Sequence, residues 1–280
     1  MHIKKNSNGD ISVDQNNYIT EMLLQHNITT SSITPASTNI HNDHRSDSSP
    51  SSDPSGYRST NMQLMYAATR TRPDILFATS ILATRSQNPT EIDHERLRKI
   101  LEYLHGTQTK LLTFVREGPL NPHAYVDASF NLHWDAKGHS GFTLKPCPNS
   151  AGIINKCVKQ RTVADSSTEA ELLALHEAIK YIAWIADIYA ELGFNVTPID
   201  IFQDNKSAIT ICSHDVINYK GRSKFFNRKL FGINEYIENN IVQLVYIGTE
   251  EMVADHLTKA LAGNKFRKFS ISLMGTDEQQ

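Results

Sequence analysis

Asp127 stands in the middle of Ala124-Tyr125-Val126-Asp127-Ala128-Ser129-Phe130, a run that otherwise reads as an apolar β-strand. Aspartate is disfavoured inside strands, so its presence there calls for a reason. Four further acidic residues fall in three other predicted elements. Asp204 closes the short strand Ile199-Asp200-Ile201-Phe202-Gln203, Glu169 and Glu171 lie in the first turns of a long helical pattern, and Asp255 lies in a predicted helix over 250–261. Taken singly these are a strand edge, a turn, a cap and a solvated helix face. Taken together they form a set of hard oxygen donors drawn from four elements. Such a set selects Mg²⁺, which keeps several waters and binds through a few carboxylates and substrate phosphate oxygens. Two such ions about 4 Å apart serve phosphodiester hydrolysis, one activating the attacking water and the other stabilising the leaving oxygen. That chemistry needs no histidine, cysteine or serine nucleophile.

The two glutamates divide by position. Ser166-x-x-Glu169 fits a capping box, which gives Glu169 a structural role. The apolar stripe Leu172, Leu175, Ile179 and Ile182 centres about 60° from Glu171 but about 100° from Glu169 on a helical wheel. A ligand must lean toward the sheet that carries Asp127 and Asp204, so Glu171 is expected in the donor set.

The elements that must hold these groups read as an antiparallel meander followed by a helix–strand alternation. Strands are expected over 124–130, 141–145 and 153–158, a long helix from Ser167 to about Leu192, a strand over 199–204, helices over 205–212 and 224–240, a strand over 241–247, the helix over 250–261, and a short helix over 265–273. A meander followed by strand–helix–strand units implies a mixed sheet with helices packed on it.

The earlier chain is of a different kind. Residues 3–14 suit a hairpin around Asn8-Gly9-Asp10, and Asn16 to His26 a short helix, giving a first segment over 1–28. Residues 29–56 are dominated by Ser, Thr, Asn, Asp and Pro and are expected to be a disordered linker, with His41 and His44 as solvated residues of it. Residues 57–118 are helical in pattern, broken at Arg72-Pro73, with Thr90-x-x-Asp93 as a capping box for the last helix. Arg70, Arg72, Arg96, Arg98 and Lys99 make this part locally basic, which suits either solvated helix faces or phosphate contact. Turn residues near 118–122 mark the start of the last segment, 119–280.

The totals restrict the reading further. A net charge of −2 excludes a global basic field, so nucleic-acid contact must come from local patches. Cys147, Cys157 and Cys212 are odd in number and lack CxxC spacing, which suits reduced thiols rather than disulfides or a zinc site. No apolar run approaches the ~20 residues of a membrane span, and the N-terminus lacks the apolar core of a secretory signal.

Four motifs in order carry a resemblance: Tyr125-Val126-Asp127-Ala128-Ser129, Ser166-Ser167-Thr168-Glu169-Ala170-Glu171-Leu172, Asp204-Asn205-Lys206-Ser207-Ala208, and Ala254-Asp255-His256-Leu257-Thr258-Lys259. They resemble the RNase H domain of copia-type LTR retrotransposon Pol polyproteins. Upstream, Tyr66-Ala67-Ala68-Thr69-Arg70-Thr71-Arg72-Pro73-Asp74-Ile75 and Asn88-Pro89-Thr90 resemble the segment between polymerase palm and RNase H.

The resemblance implies an α/β, RNase H-like mixed five-stranded sheet with flanking helices, preceded by a small, mainly helical thumb- or connection-like segment with an N-terminal hairpin. It implies a two-metal endonuclease that uses Mg²⁺, with Mn²⁺ as a substitute, to cut the RNA strand of RNA–DNA hybrids. Asp127, Glu171, Asp204 and Asp255 would be both the catalytic residues and the metal ligands. It implies the remainder of a Pol protein (polymerase palm, integrase) as a partner. It also implies a location in a cytoplasmic virus-like particle or the nucleus, neither secreted nor in a membrane. Tyr125-Val126-Asp127-Ala128 is not a palm motif, since Ala128 replaces the second aspartate, so no polymerase activity is expected from this chain alone.

One departure stands out. Lys224-Phe225-Phe226-Asn227-Arg228-Lys229 replaces the family's Lys-His-Ile-Asp/Asn-Ile-Arg pattern. With the missing palm it favours the alternative of a truncated, non-catalytic nucleic-acid-binding relic. Integrase-type strand transfer shares the fold, but Asp204-Asn205 and the late Asp255 argue against it.

Overall fold

The computed structural model describes residues 1–42, 48–116, 118–213 and 224–275. The chain divides into two compact units. One comprises residues 1–116, 149–151 and 259–280, and the other residues 117–148 and 152–258.

In the first unit the expected hairpin forms from β1 (His2–Lys5) and β2 (Ile11–Asp14), and β3 (Leu112–Phe114) adds to it as a third antiparallel strand. Helices α1 (Asn16–Gln25), α2 (Pro54–Arg70), α3 (Leu76–Ala83) and α4 (Glu91–Gly106) follow, and the last helix of the chain, Gly263–Met274, belongs to this unit. Arg72-Pro73 breaks the helical run as expected, with a 3-10 turn at Pro73–Ile75. The Thr90–Asp93 capping box is complete at the start of α4.

Within 29–56, expected as a disordered linker, the described residues make fixed contacts. Ile40 is buried, the Ser32 N–H donates to the Glu102 carbonyl at 3.1 Å, and an Arg85 Nη donates to the Asn42 carbonyl at 2.7 Å. Buried Pro35 and Ile40, with neighbouring donors, thus hold the described part of a polar stretch with few large apolar residues. His44, paired with His41 in the sequence, lies outside the described residues.

Two of the basic residues weighed for phosphate contact are instead internal. Arg72 is 1% exposed. Its Nε and Nη2 donate to the two oxygens of Asp74 at 2.9 and 2.8 Å, and its guanidinium also donates to Thr107. The Tyr103 hydroxyl donates to Asp74 at 2.6 Å. Arg72 and Lys110 hold the Asp74 carboxyl well below the usual carboxylate range despite its burial. Arg96 is likewise paired, to Asp93 at 3.1 Å.

The second unit is built on β4 (His123–Ser129), β5 (His139–Lys145), β6 (Ile154–Lys159), α5 (Ser167–Glu191), β7 (Ile199–Gln203), α6 (Lys206–Ser213), α7 (Lys224–Glu238) and β8 (Val242–Tyr246). Strand order is β6-β5-β4-β7-β8. The β4–β5 and β5–β6 pairs are antiparallel, whereas β4–β7 and β7–β8 are parallel. This is the mixed five-stranded, RNase H-like sheet that the motifs imply. Central β4 is buried on both faces. The stripe of Leu172, Leu175, Ile179 and Ile182 on α5 shares one core with Ala124 and Val126 of β4, Ile199 and Ile201 of β7, and Phe226, Leu230 and Ile233 of α7. Phe226, part of the departure from the family pattern, is therefore a core residue of a helix that forms; the side chains of Lys224 and Phe225 lie outside the described residues.

One expected element is corrected. The helix over 250–261 is replaced by two 3-10 turns, Thr249–Glu251 and Val253–Leu257, separated by extended Met252. All five residues of the second turn are buried. The second turn packs onto β4 and β5, and its backbone is closed by short-range bonds, the Asp255 N–H donating to the Met252 carbonyl at 3.0 Å and the Thr258 N–H to the Asp255 carbonyl at 3.2 Å. Among the described residues no helix is long and apolar enough to cross a membrane.

Asp74→Asn leaves the buried Arg72 charge uncompensated and is expected to cost about 3–5 kcal/mol in chemical denaturation of the full chain. A loss below about 1 kcal/mol would show that the pair contributes nothing specific.

Candidate metal centre

Three of the four sequence-predicted acids come together. Oxygen atoms of Asp127, Glu171 and Asp204 all lie within 4.8 Å of one another. Each is delivered by a different element: Asp127 by the central strand, Glu171 by the first turns of α5, and Asp204 by the end of β7. The parallel pairing of β4 with β7 sets two of these elements side by side, and packing of the α5 stripe on the sheet sets the third.

Local chemistry explains each placement. The Ser166 hydroxyl accepts the Glu169 N–H at 3.2 Å, and the Glu169 carboxylate accepts the Asp165 N–H at 2.7 Å. Glu169 is thus spent on the helix start, while Glu171 turns inward and is only 5% exposed. Asn205 caps α6 by accepting the Ala208 N–H at 3.0 Å, so β7 ends and the chain turns at Asp204. The Thr249 hydroxyl donates to Asp204 at 3.0 Å.

Asp255 is buried in the 3-10 turn Val253–Leu257 and is not one of the three clustered groups. That turn packs against β4 and β5 within the same unit.

Two contributors escaped the sequence reading. Gln203 is fully buried; its side chain donates to Glu171 at 3.3 Å and accepts the Asn205 N–H at 3.0 Å, tying α5 to the end of β7. Its one sequence signal is an amide ending an apolar strand beside an acid. The other is Thr258, whose hydroxyl donates to Asp127. It stands inside a quoted motif, but nothing local points its side chain at a strand 131 residues earlier.

The electrostatics follow from crowding. Burial, and then the charges of Asp127 and Asp204, raise the Glu171 pKa well above the usual glutamate value; donation from Gln203 and from the Ala128 N–H only partly offsets this. An all-oxygen carboxylate donor set matches a hard divalent cation and offers no soft ligand for zinc or copper.

No family model matches the chain. Curated relatives do. The chain is 32% identical over 212 residues to the retrovirus-related Pol polyprotein from transposon TNT 1-94 of Nicotiana tabacum, covering 75% of this chain and 16% of that protein. It is 31% identical over 220 residues to the corresponding polyprotein from transposon RE1 of Arabidopsis thaliana, covering 78% of this chain and 15% of that one. Its homologues are copia-type retrotransposon Pol polyproteins. The chain thus spans about a sixth of the length of these Pol relatives. Among solved structures, a foamy viral protease–reverse transcriptase in complex with dsDNA superposes with a TM-score of 0.50 at 12% identity, covering 88% of this chain and 44% of that one. At that identity the likeness is one of fold, and it extends over both units.

A glutamate whose folded pKa is raised stabilises the fold fully below its unfolded pKa and loses that contribution as pH rises through the folded value. Without divalent cations, stability should therefore fall as pH rises above about 4.5. Glu171→Gln should flatten that fall and raise the melting temperature near pH 7, by about 2–4 °C for each kcal/mol of repulsion removed. An unchanged or lower melting temperature in a scan with chelator would contradict the crowding.

Proposed function

We propose that the second unit is a retrotransposon-derived ribonuclease H that hydrolyses the RNA strand of RNA–DNA hybrids with Mg²⁺, or Mn²⁺ in its place. The observation that carries this reading is the convergence of Asp127, Glu171 and Asp204 within 4.8 Å on a central strand, a helix start and a strand end. Two bound ions would supply a Lewis acid at the scissile phosphate and a water acidic enough to attack at neutral pH.

Asp127, Glu171 and Asp204 would hold the ions, and Asp255, on the turn that packs against β4 and β5, would be the fourth acid. Gln203 orients Glu171 through its amide, and the capped start of α6 fixes the backbone at Asp204. Burial and the like charges of Asp127 and Asp204 raise the Glu171 pKa, and a cation held there would favour its ionised form. The substrate partner is the hybrid. The wider partners are the polymerase palm and integrase of a Pol protein, and the setting is a cytoplasmic particle or the nucleus. The chain's Tyr125-Val126-Asp127-Ala128 lacks the paired aspartates of a palm, so polymerase activity is not part of the proposal.

Incubation with a hybrid labelled on each strand and Mg²⁺ should release RNA fragments and leave the DNA strand intact. Asp127→Asn, Glu171→Gln, Asp204→Asn and Asp255→Asn should each lower the rate by more than about 100-fold, beyond what loss of a supporting residue costs. Glu169→Ala should retain cleavage and cost about 1 kcal/mol of stability, as a lost cap does. Intact RNA with the wild-type chain, or equal cleavage by the Asp127 and Asp204 variants, would refute the assignment.

A further inference from the structure

The 3-10 turn that replaces the expected last helix of the second unit ends at Thr258, and the surroundings of this residue are unusual. It is fully buried. Its hydroxyl lies against Asp127 Oδ2 at hydrogen-bonding distance, and its carbonyl accepts the Ser129 hydroxyl at 2.6 Å. Asp127 and Ser129 are two apart on β4 and so share one face of the strand. That face therefore grips residue 258 twice, once by its side chain and once by its backbone.

The direction of the first bond is fixed by chemistry. An ionised carboxylate only accepts, so the single hydroxyl proton goes to Asp127. The competing acceptors, the carbonyls of Ala254 and Asp255, lie at 3.4 Å, near the limit of a useful hydrogen bond.

The room for this contact is made across the ladder. Gly141 of β5 is the direct partner of Asp127. A Cβ at position 141 would meet Thr258 Cγ2 at 2.6 Å and Leu257 Cβ at 2.8 Å. The missing side chain is what lets the turn settle onto β4 and β5. The Thr258 N–H donates to the Asp255 carbonyl at 3.2 Å and closes the turn that carries Asp255.

We propose that Thr258 is a positioning residue for the metal centre: its hydroxyl locks the Asp127 carboxylate in its ligand orientation and ties the Asp255 turn to the same strand. The inference rests on the nuclease reading above and assigns a residue outside the acidic set. A hydrogen bond that orients a ligating carboxylate typically contributes 10–100-fold to metal affinity.

Mn²⁺ binding to the full chain, followed by calorimetry and by the electron paramagnetic resonance of free Mn²⁺, tests this beside thermal melting in chelator. Thr258→Val keeps the shape and removes the donor, and should weaken Mn²⁺ binding by about tenfold or more. Thr258→Ser keeps the donor and should restore affinity to near wild type. Gly141→Ala, which leaves the hydroxyl but pushes its residue outward, should weaken binding in the same way, and it carries the test if Thr258→Val does not fold. A hydroxyl with only a structural role would lower the melting temperature and leave the Mn²⁺ affinity of the folded protein unchanged; that result overturns the proposal. Wild-type protein that binds no Mn²⁺ overturns the nuclease reading and this inference together, whereas wild-type binding that neither variant disturbs overturns this inference alone.

Discussion

The second unit depends on a repulsion. Two full negative charges 4.8 Å apart repel by about 3 kcal/mol at an effective dielectric near 20, and this site brings three carboxylates within that distance. No fold gathers such charges by accident of their own chemistry. They are held there because the groups are fixed to elements whose packing is decided elsewhere. The α5 stripe must bury itself on β4 and β7, and once it does, Glu171 has no other place to point. Burial and the neighbouring charges push the Glu171 pKa up, and the proposed ions would offset that charge. The same crowding that costs stability is what creates affinity for a small, doubly charged cation.

The supporting polar groups make the arrangement definite. Gln203 spans Glu171 and the start of α6, and Thr258 spans Asp127 and the turn bearing Asp255. Both are buried: the Gln203 amide nitrogen donates to Glu171 while its oxygen accepts the Asn205 N–H, and the Thr258 hydroxyl donates to Asp127 while its backbone carbonyl accepts the Ser129 hydroxyl. In the first unit the same means serve a buried positive charge: Arg72 donates to Asp74 and Thr107, and Tyr103 donates to Asp74. There the opposite charges meet inside the fold, so that Arg72 is committed to structure, whereas the second unit gathers like charges.

Much of this was legible in the chain. Asp127 breaks strand propensity in a run that is otherwise apolar, and that anomaly alone marked it. The order of strands and helices in the second unit follows from alternation, caps and turn residues, and the long helix begins and ends within a residue of its expected bounds. The wheel separated Glu169 from Glu171 because a cap and a buried face make different angular demands. What was not legible depends on contacts distant in sequence. β3 is three residues long and becomes a strand only by pairing with β2. Residues 149–151 fall in the first unit although their composition matches an ordinary turn. The stretch 253–257 reads as part of a helix in the sequence, and its short turn is seen only with its packing on β4 and β5, where Gly141 leaves room for Leu257 and Thr258. Thr258 belongs to the same class, since its role exists only across the sheet.

As a divalent-cation site, the carboxylate group should be visible in diffraction from crystals grown with Mn²⁺ and a hybrid, because anomalous scattering locates the ion without reference to activity. Anomalous density is expected about 2.1 Å from oxygens of Asp127, Glu171 and Asp204. Well-ordered carboxylates with no anomalous density among them, at Mn²⁺ concentrations that saturate ordinary two-metal nucleases, would contradict it.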